Sequence, residues 1–480
     1  MTNLLKPSVN IIEYISPLDW FVFIAILVLT FSAVVFGEYQ KRKGPKLNKD
    51  DEAASFLDLL LMGRQLTLPL FVGTLVATWY GGIFGVTKIA FEKGIFNFVT
   101  QGAFWYIAYI IFALFIIDRI QGYEAVTLPD LIEKMFGPLS GKLSAVFNFF
   151  NVLPIAYIIS LGLFSQLIFG GSLLLNMFGG VIVVLVYSSF GGFRAVVFSD
   201  FVQFFVMCIG VFFVLLFSFL KFGGLGFLTQ NLPENHFSLT GGEGLLATFV
   251  WGFIALSTLV DPNFYQRCFA ATSPQVAKKG IFISTVIWFG FDICTTFGAM
   301  YARATIPDSE SGNAYLTYAI QILPDGIKGF VLAGILATIL STLDSYLFLA
   351  GTTVSYDLMP KKLKGKPWLH HVGTVSVGFL AIFLAYYFDG NIKTVWKTLG
   401  SYSASCLLLP VIYGHLFPRK IQDRQFVIAC ILGIVTTTYW RLASHSGFWV
   451  NIDELYIGIL ATSCGLLFFH PIRRVLVRVN

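Results

Sequence analysis

The sequence predicts an all-α membrane protein, a bundle of about thirteen transmembrane helices. Three observations predict it. Hydrophobic residues make up 56% of the chain and charged residues 12%, an apolar share beyond that of soluble domains. Roughly 20 apolar residues at 1.5 Å rise per residue cross the hydrocarbon core, and stretches of that length with few charges recur throughout. Strand-type alternation is absent while Leu, Phe, Ile and Gly fill the runs, which favours a helical bundle over an outer-membrane barrel.

Taken in order, the spans are predicted at 18–37, 67–92, 95–118, 143–170, 172–190, 195–221, 246–266, 281–302, 328–356, 370–388, 392–417, 425–441 and 454–471. The stretch before the first run has neither a basic start nor a small-residue cleavage site, so the first helix is read as retained. With loops alternating between faces, 23 of the 32 Lys and Arg fall on one side, among them Lys41–Lys49, Arg194, Arg267 and Lys361–Lys366. The positive-inside rule then places the C-terminus in the cytoplasm and the N-terminus outside, in the plasma (inner) membrane of the cell. The formal charge of +6 is thereby spent on topology, and no nucleic-acid partner is expected. The six cysteines lie singly in or beside apolar runs, which is neither a disulfide framework nor a zinc site.

The loops 38–56, 119–142, 222–245 and 303–327 are too short for a separate domain, so any chemistry must sit within the bundle. Tyr315 to Pro324 is expected to form a short external helix, and Gly241 to Gly244 a flexible turn. Two spans look unlike plain membrane helices. The second contains Thr78-Trp79-Tyr80-Gly81-Gly82-Ile83-Phe84-Gly85, where glycines let the backbone leave the helix and offer its carbonyls. The seventh ends in Ser257-Thr258-Leu259-Val260-Asp261-Pro262-Asn263, where proline interrupts the ladder. Their separation by five segments is that of two inverted five-helix repeats, segments 2–6 and 7–11, with a midplane site between them. The competing reading is packing glycines and an ordinary proline kink.

Segment 9 carries Thr338, Ser341, Thr342 and Ser345 at i, i+3, i+4, i+7, a stripe of hydroxyls on one helix face. Hard cations take oxygen ligands, and such a stripe facing the carbonyls of a broken helix can supply them. Small-residue packing is the commoner use of such a stripe. Ionisable residues inside the spans are Lys88, Asp200, Asp261, Asp292, Asp344 and Lys397, each expected to face the interior. Asp200 and Asp344 meeting would repel without a cation or proton between them, which points to a second ion site; pairing of Asp200 with a cytoplasmic arginine is the alternative. Lys88 and Glu92 at i, i+4 form a helix-face pair near the outer surface, and Lys397 snorkels or attracts an anionic solute.

These residues assemble into a known pattern. Tyr187-Ser188-Ser189-Phe190-Gly191-Gly192-Phe193-Arg194-Ala195-Val196 with Asp200 and Gln203, Tyr265-Gln266-Arg267 with Ala270-Ala271, and Leu340-Ser341-Thr342-Leu343-Asp344-Ser345 occur in order; Tyr123 with Thr127-Leu128-Pro129-Asp130 is a weaker match. Over most of its length, Leu61 to about Phe417, the chain resembles the sodium:solute symporter family of proline, pantothenate, sialic acid, sugar and iodide carriers. The resemblance implies a leucine-transporter-like core at 61–418, an extra helix and cytoplasmic linker at 1–60, and two further helices with a short tail at 419–480. It implies a first sodium site at Leu75, Thr78, Thr338, Ser341 and Thr342, and in some relatives a second at Asp200, Ser341, Asp344 and Ser345. Solute contacts are implied at Gly82, Gln101, Ile254, Ser257 and Thr258; Trp79 is expected to join them, with Asp261, Lys88 and Lys397 as further solute or gating residues on the reading of the spans themselves. The small side chains there speak against a sugar, and Ala77, where proline carriers have an acid, against proline; a pantothenate-like or other carboxylate would use Lys88 or Lys397.

The expected function is a symporter, not an enzyme, importing a small organic solute with one or two Na+ ions, in a lipid bilayer and with no organic cofactor or obligate protein partner. Proton coupling through Asp200 and Asp344 is the alternative. Gly137-Pro138-Leu139-Ser140-Gly141-Lys142 is one residue short of a phosphate loop and lacks the following Ser or Thr, which argues against an ATP-driven pump. The six histidines lack metal spacing and a nucleophile, which argues against a membrane enzyme, and no kinase follows Arg474 to make the chain a sensor.

Overall fold

The computed structural model describes residues 11–43, 52–188, 192–360, 362–364 and 366–468. Helix dominates these residues, with one isolated bridge between Leu66 and Ala271. Nine helices among the described residues are long and apolar enough to cross a membrane, fewer than the thirteen spans expected. The difference has local causes. The stretch 67–92 is divided into α1 (Leu68–Ala77) and α2 (Ile83–Lys93). The described parts of 172–190 and 454–471 carry the shorter apolar helices Leu173–Val186 and Glu454–Leu467. The stretch 392–417 is helical through Ile392–Ser403, Ala404–Leu408 and Leu409–Leu416 but is not among the nine.

The elements that build the site are α1, α2, α3 (Gly192–Phe222), α4 (Leu245–Leu256), α5 (Pro262–Ala270), α6 (Pro274–Thr305), α7 (Ile327–Thr352) and α8 (Ile392–Ser403). Both expected breaks are present. Between α1 and α2 the ladder stops at Thr78 and restarts at Gly82, so carbonyls from Ala77 onward are released from helical partners. Between α4 and α5 the chain tightens into a 3-10 turn, Ser257–Val260, and turns extended at Asp261. Asp261 Oδ1 then accepts from the Asn263 and Phe264 amides at 2.8 and 3.4 Å, capping α5 behind Pro262. A third interruption was not expected. The stretch 143–170, read as one span, is Pro138–Asn151 followed by Ile155–Phe169, because Pro154 cannot donate to the ladder.

Burial orders the bundle. The apolar window of Ile327–Asp357, which contains α7, is 89% buried, whereas that of the first helix, Pro17–Gln40, is 17% buried; α7 is the central post and the first helix rides outside. Small residues let α3 and α7 touch: a Cβ on Gly334 would stand 3.0 Å from the Val206 carbonyl oxygen. Asp19 of the first helix ties the N-terminal end of α7, its Oδ1 accepting from the Gly326 and Gly329 amides at 2.6 and 3.0 Å. The expected external helix is Ala314–Ile322, and the Gly241 and Glu243 amides close turns on Ser238 and Thr240. Arg267, read from sequence as a cytoplasmic loop charge, instead lies on α5 at 0% exposure.

Candidate functional site

Two oxygen clusters and one cavity meet where the breaks cross α7. In the first cluster, Ser341 Oγ donates to the carbonyl of Ala77 at 2.7 Å and stands 3.2 Å from that of Thr338. Thr342 Oγ1 donates to Thr338 O at 3.0 Å and stands 3.5 Å from Ala77 O. Helical periodicity alone puts both hydroxyls on one face; Gly81 lets that face close on the break, since a Cβ there would lie 2.5 Å from Thr342 Cβ. Thr338 and Thr78 turn their hydroxyls to their own helices, onto Ile335 O and Thr74 O at 2.7 Å each, so Thr338 meets the cluster through its carbonyl alone. Leu75 O accepts from Thr78 Oγ1 at 3.4 Å. The carbonyl that Ser341 reaches is thus that of Ala77, a residue singled out from sequence for its missing acid rather than its backbone oxygen. Every member of this cluster is shielded from solvent.

The second cluster has an occupant. Asp200 Oδ2 accepts from Thr74 Oγ1 at 2.5 Å and faces the Arg267 guanidinium at 3.6 Å. Arg267 also donates to Thr74 Oγ1 and Ser345 Oγ, each at 3.0 Å, and to Asn263 Oδ1. The space between Asp200 and Ser345 is therefore spanned by a protein cation. That is the pairing alternative for Asp200, with an arginine of the bundle interior rather than a loop. Asp344, one residue before Ser345 on α7, is buried as well.

Between the breaks lies a cavity of about 150 Å³. Of the expected solute residues it is lined by Trp79, Gln101, Ile254, Ser257, Thr258 and Asp261. Gly82 is covered, because the Trp396 ring sits on it. Lys88 and Lys397 are not brought to the cavity: Lys88 stands 3.9 Å from Glu92, and Lys397 pairs with Asp453 at 2.6 Å. Neither lysine is among the lining residues. Sequence reasoning missed Trp105, Asn151, Tyr157, Trp251, Tyr346 and Trp396. A signal existed for some of them, since Trp251, Ile254 and Thr258 on the broken span, and Trp396, Leu399, Gly400 and Ser403 on α8, each follow helical spacing. Asp292 of α6 lies behind this wall, fully buried, accepting from the hydroxyls of Tyr80 and Tyr106.

A family model described as sodium:solute symporter family matches residues 60–433. The chain belongs to that family. The sodium/pantothenate symporter of Escherichia coli (strain K12) is 25% identical over 489 residues, covering 95% of this chain and 96% of that protein. The high-affinity proline transporter PutP of Bacillus subtilis (strain 168) is 24% identical over 393 residues, covering 74% and 79%. A solved structure described as the substrate-bound outward-open state of a Na+-coupled sialic acid symporter matches with a TM-score of 0.74 at 14% identity, covering 95% of this chain and 98% of that one, so the fold is shared.

As a sodium:solute symporter family member the chain is a transmembrane transporter. The motif residues behind the resemblance sit around the breaks. Tyr265 OH donates to the carbonyl of Leu259 at 2.8 Å, satisfying an oxygen that the 3-10 turn releases, and Gln266 Nε2 donates to Leu60 O at 3.2 Å. Ser189, Phe190 and Gly191 of the first motif lie outside the described residues.

Proposed function

We propose that the chain is a sodium-coupled secondary transporter that imports a small organic solute by alternating access. The observation that carries this reading is the Ser341 hydroxyl on the Ala77 carbonyl at 2.7 Å, which brings the oxygens of a broken span against a stripe of hydroxyls on α7. With Thr342 Oγ1 and the Thr338 carbonyl they form a compact, uncharged oxygen set, the donor chemistry that a dehydrated alkali cation takes. Sodium joining α1 to α7 would stabilise the outward-open form; the solute enters beside Trp79, Gln101 and Thr258, and the bundle then rocks inward. The drive follows from differential sodium affinity between the two forms, helped by about 2.3 kcal/mol per charge per 100 mV of membrane potential. The two breaks support the inverted five-helix repeats, and the charge bias of the loops supports an external N-terminus and a cytoplasmic C-terminus in the plasma membrane.

The second ion position at Asp200, Ser341, Asp344 and Ser345 would have to form with Arg267 displaced from Ser345, so one sodium ion per cycle fits this arrangement better than two. The same ion pair speaks against proton drive through Asp200, whose charge is already matched. Sodium-gradient-driven solute counterflow in proteoliposomes tests the reading. Exchange of external sodium for potassium at fixed pH should abolish it, and Ser341→Ala with Thr342→Ala should remove the sodium dependence. Unchanged sodium dependence in that double variant would overturn the site.

A further inference from the structure

The cavity wall is built from seven aromatic rings, those of Trp79, Tyr80, Trp105, Tyr157, Trp251, Tyr346 and Trp396. No Lys, Arg or His lines it, and its single ionisable acid is Asp261. The carboxylate of Asp261 is half engaged: Oδ1 caps α5, while Oδ2 accepts only a long bond, 3.4 Å, from Tyr346 OH. A second carboxylate, Asp292, stands behind Tyr80, and among the described residues no Lys, Arg or His lies within 4.0 Å of it. The guanidinium of Arg267 is committed to Asp200, Thr74, Ser345 and Asn263 and does not reach the lining.

Each of these facts bears on charge. Aromatic faces carry negative potential and attract an organic cation, most strongly when it is desolvated. A carboxylate at the wall adds to that field, and none of the lining residues offers an anionic solute a basic anchor. The volume decides size: a cavity of about 150 Å³ holds a molecule of roughly one six-membered ring. Gln101 Nε2 and Thr258 Oγ1 are buried without a hydrogen-bond partner among the described residues, leaving polar groups for a hydroxyl or similar group of the solute.

We propose that this cavity recognises a small solute through a substituted ammonium head, held among the tryptophan and tyrosine faces with Asp261 as counter-ion. The inference rests on the proposed transport function and names the class of its cargo. It replaces the carboxylate class that Lys88 and Lys397 would have served.

The test is equilibrium binding of radiolabelled choline to the purified full-length protein in sodium and in potassium buffer, with glucose and lactate as competitors. Choline is expected to bind in sodium, displaced by unlabelled choline and by neither competitor. Asp261→Asn keeps the helix cap, because asparagine caps as well as aspartate, but removes the charge, and should weaken choline binding by about tenfold or more. Trp105→Leu should weaken it comparably, while Trp105→Phe restores most of it, the signature of an aromatic face rather than mere bulk. A melting curve on each variant confirms that it is folded. Absence of choline binding in sodium, displacement by glucose or lactate, or full binding by Asp261→Asn would each overturn the proposal. Choline binding that is equal in sodium and potassium would sustain it and sink the sodium reading instead, so the two failures are distinguishable.

Discussion

A Cβ built on Gly82 falls 2.0 Å from Cζ2 of Trp396, so the indole of α8 occupies the volume that any side chain at position 82 would need. The glycines of the first break therefore do more than permit an irregular backbone; they admit a tryptophan to the cavity wall. Gly82→Ala is expected to destabilise the protein by about 1–3 kcal/mol through overpacking. Trp396→Ala in the same background should recover much of the loss, and thermal unfolding of detergent-purified protein monitored by size exclusion reads both.

Sodium itself can be detected without knowing the cargo. A ligand that binds only the folded form stabilises it by about 2.7 kcal/mol at a hundredfold excess over its dissociation constant. The wild-type melting temperature should rise when sodium replaces potassium, and Ser341→Ala with Thr342→Ala, which removes the two hydroxyls facing Ala77 O and Thr338 O, should abolish the rise. A shift retained in the double variant would place the ion elsewhere.

Asp200 and Arg267 are each 0% exposed and 3.6 Å apart. Removing one member of such a buried pair leaves an uncompensated charge, at about 3–5 kcal/mol. Asp200→Asn and Arg267→Gln should each be severely destabilising, and the double variant much less so than the sum. Unfolding measured across the four-member cycle checks this; additivity would mean that the two side chains act independently.

Outside the spans, His236 Nε2 donates to the Phe91 carbonyl at 3.0 Å, and burial first of all lowers its imidazole below the ordinary value of about 6.5. Because the folded form disfavours the charged ring, its contribution is intact above that value and is lost as pH falls beneath it. The Ile95 amide, bonded to His236 O at 2.8 Å, should exchange faster below about pH 6 after correction for intrinsic rates. His236→Gln should flatten the dependence.

The breaks and the hydroxyl stripe could be read from residue types because each depends on local rules: Pro262 must end a ladder, glycines relax one, and 338, 341, 342 and 345 must share a face. What escaped was long-range. Arg267 looks like any loop cation until α5 is known to begin at Pro262 and run inward. Pro154 was concealed inside a run apolar enough to pass as continuous. Trp251 and Trp396 read as ordinary membrane aromatics, and only the close approach of α8 to the breaks, Trp396 on Gly82 and Gly400 on Ile254, makes them walls of one chamber. For Lys88 the i, i+4 spacing already pointed to Glu92, while the partner of Lys397, Asp453, lies too far along the chain to be read from spacing.

The bond from Asp19 to the head of α7 has a mechanical meaning. A rod that bears the Ser341 and Thr342 hydroxyls at its middle and is moored at its end to a peripheral, lipid-washed helix is tied in any tilt to that mooring. On the proposed alternating-access reading, Pro17–Lys43 and Ile327–Thr352 would swing as a single lever, and lipid thickness around the outer helix would become a load on the inner one.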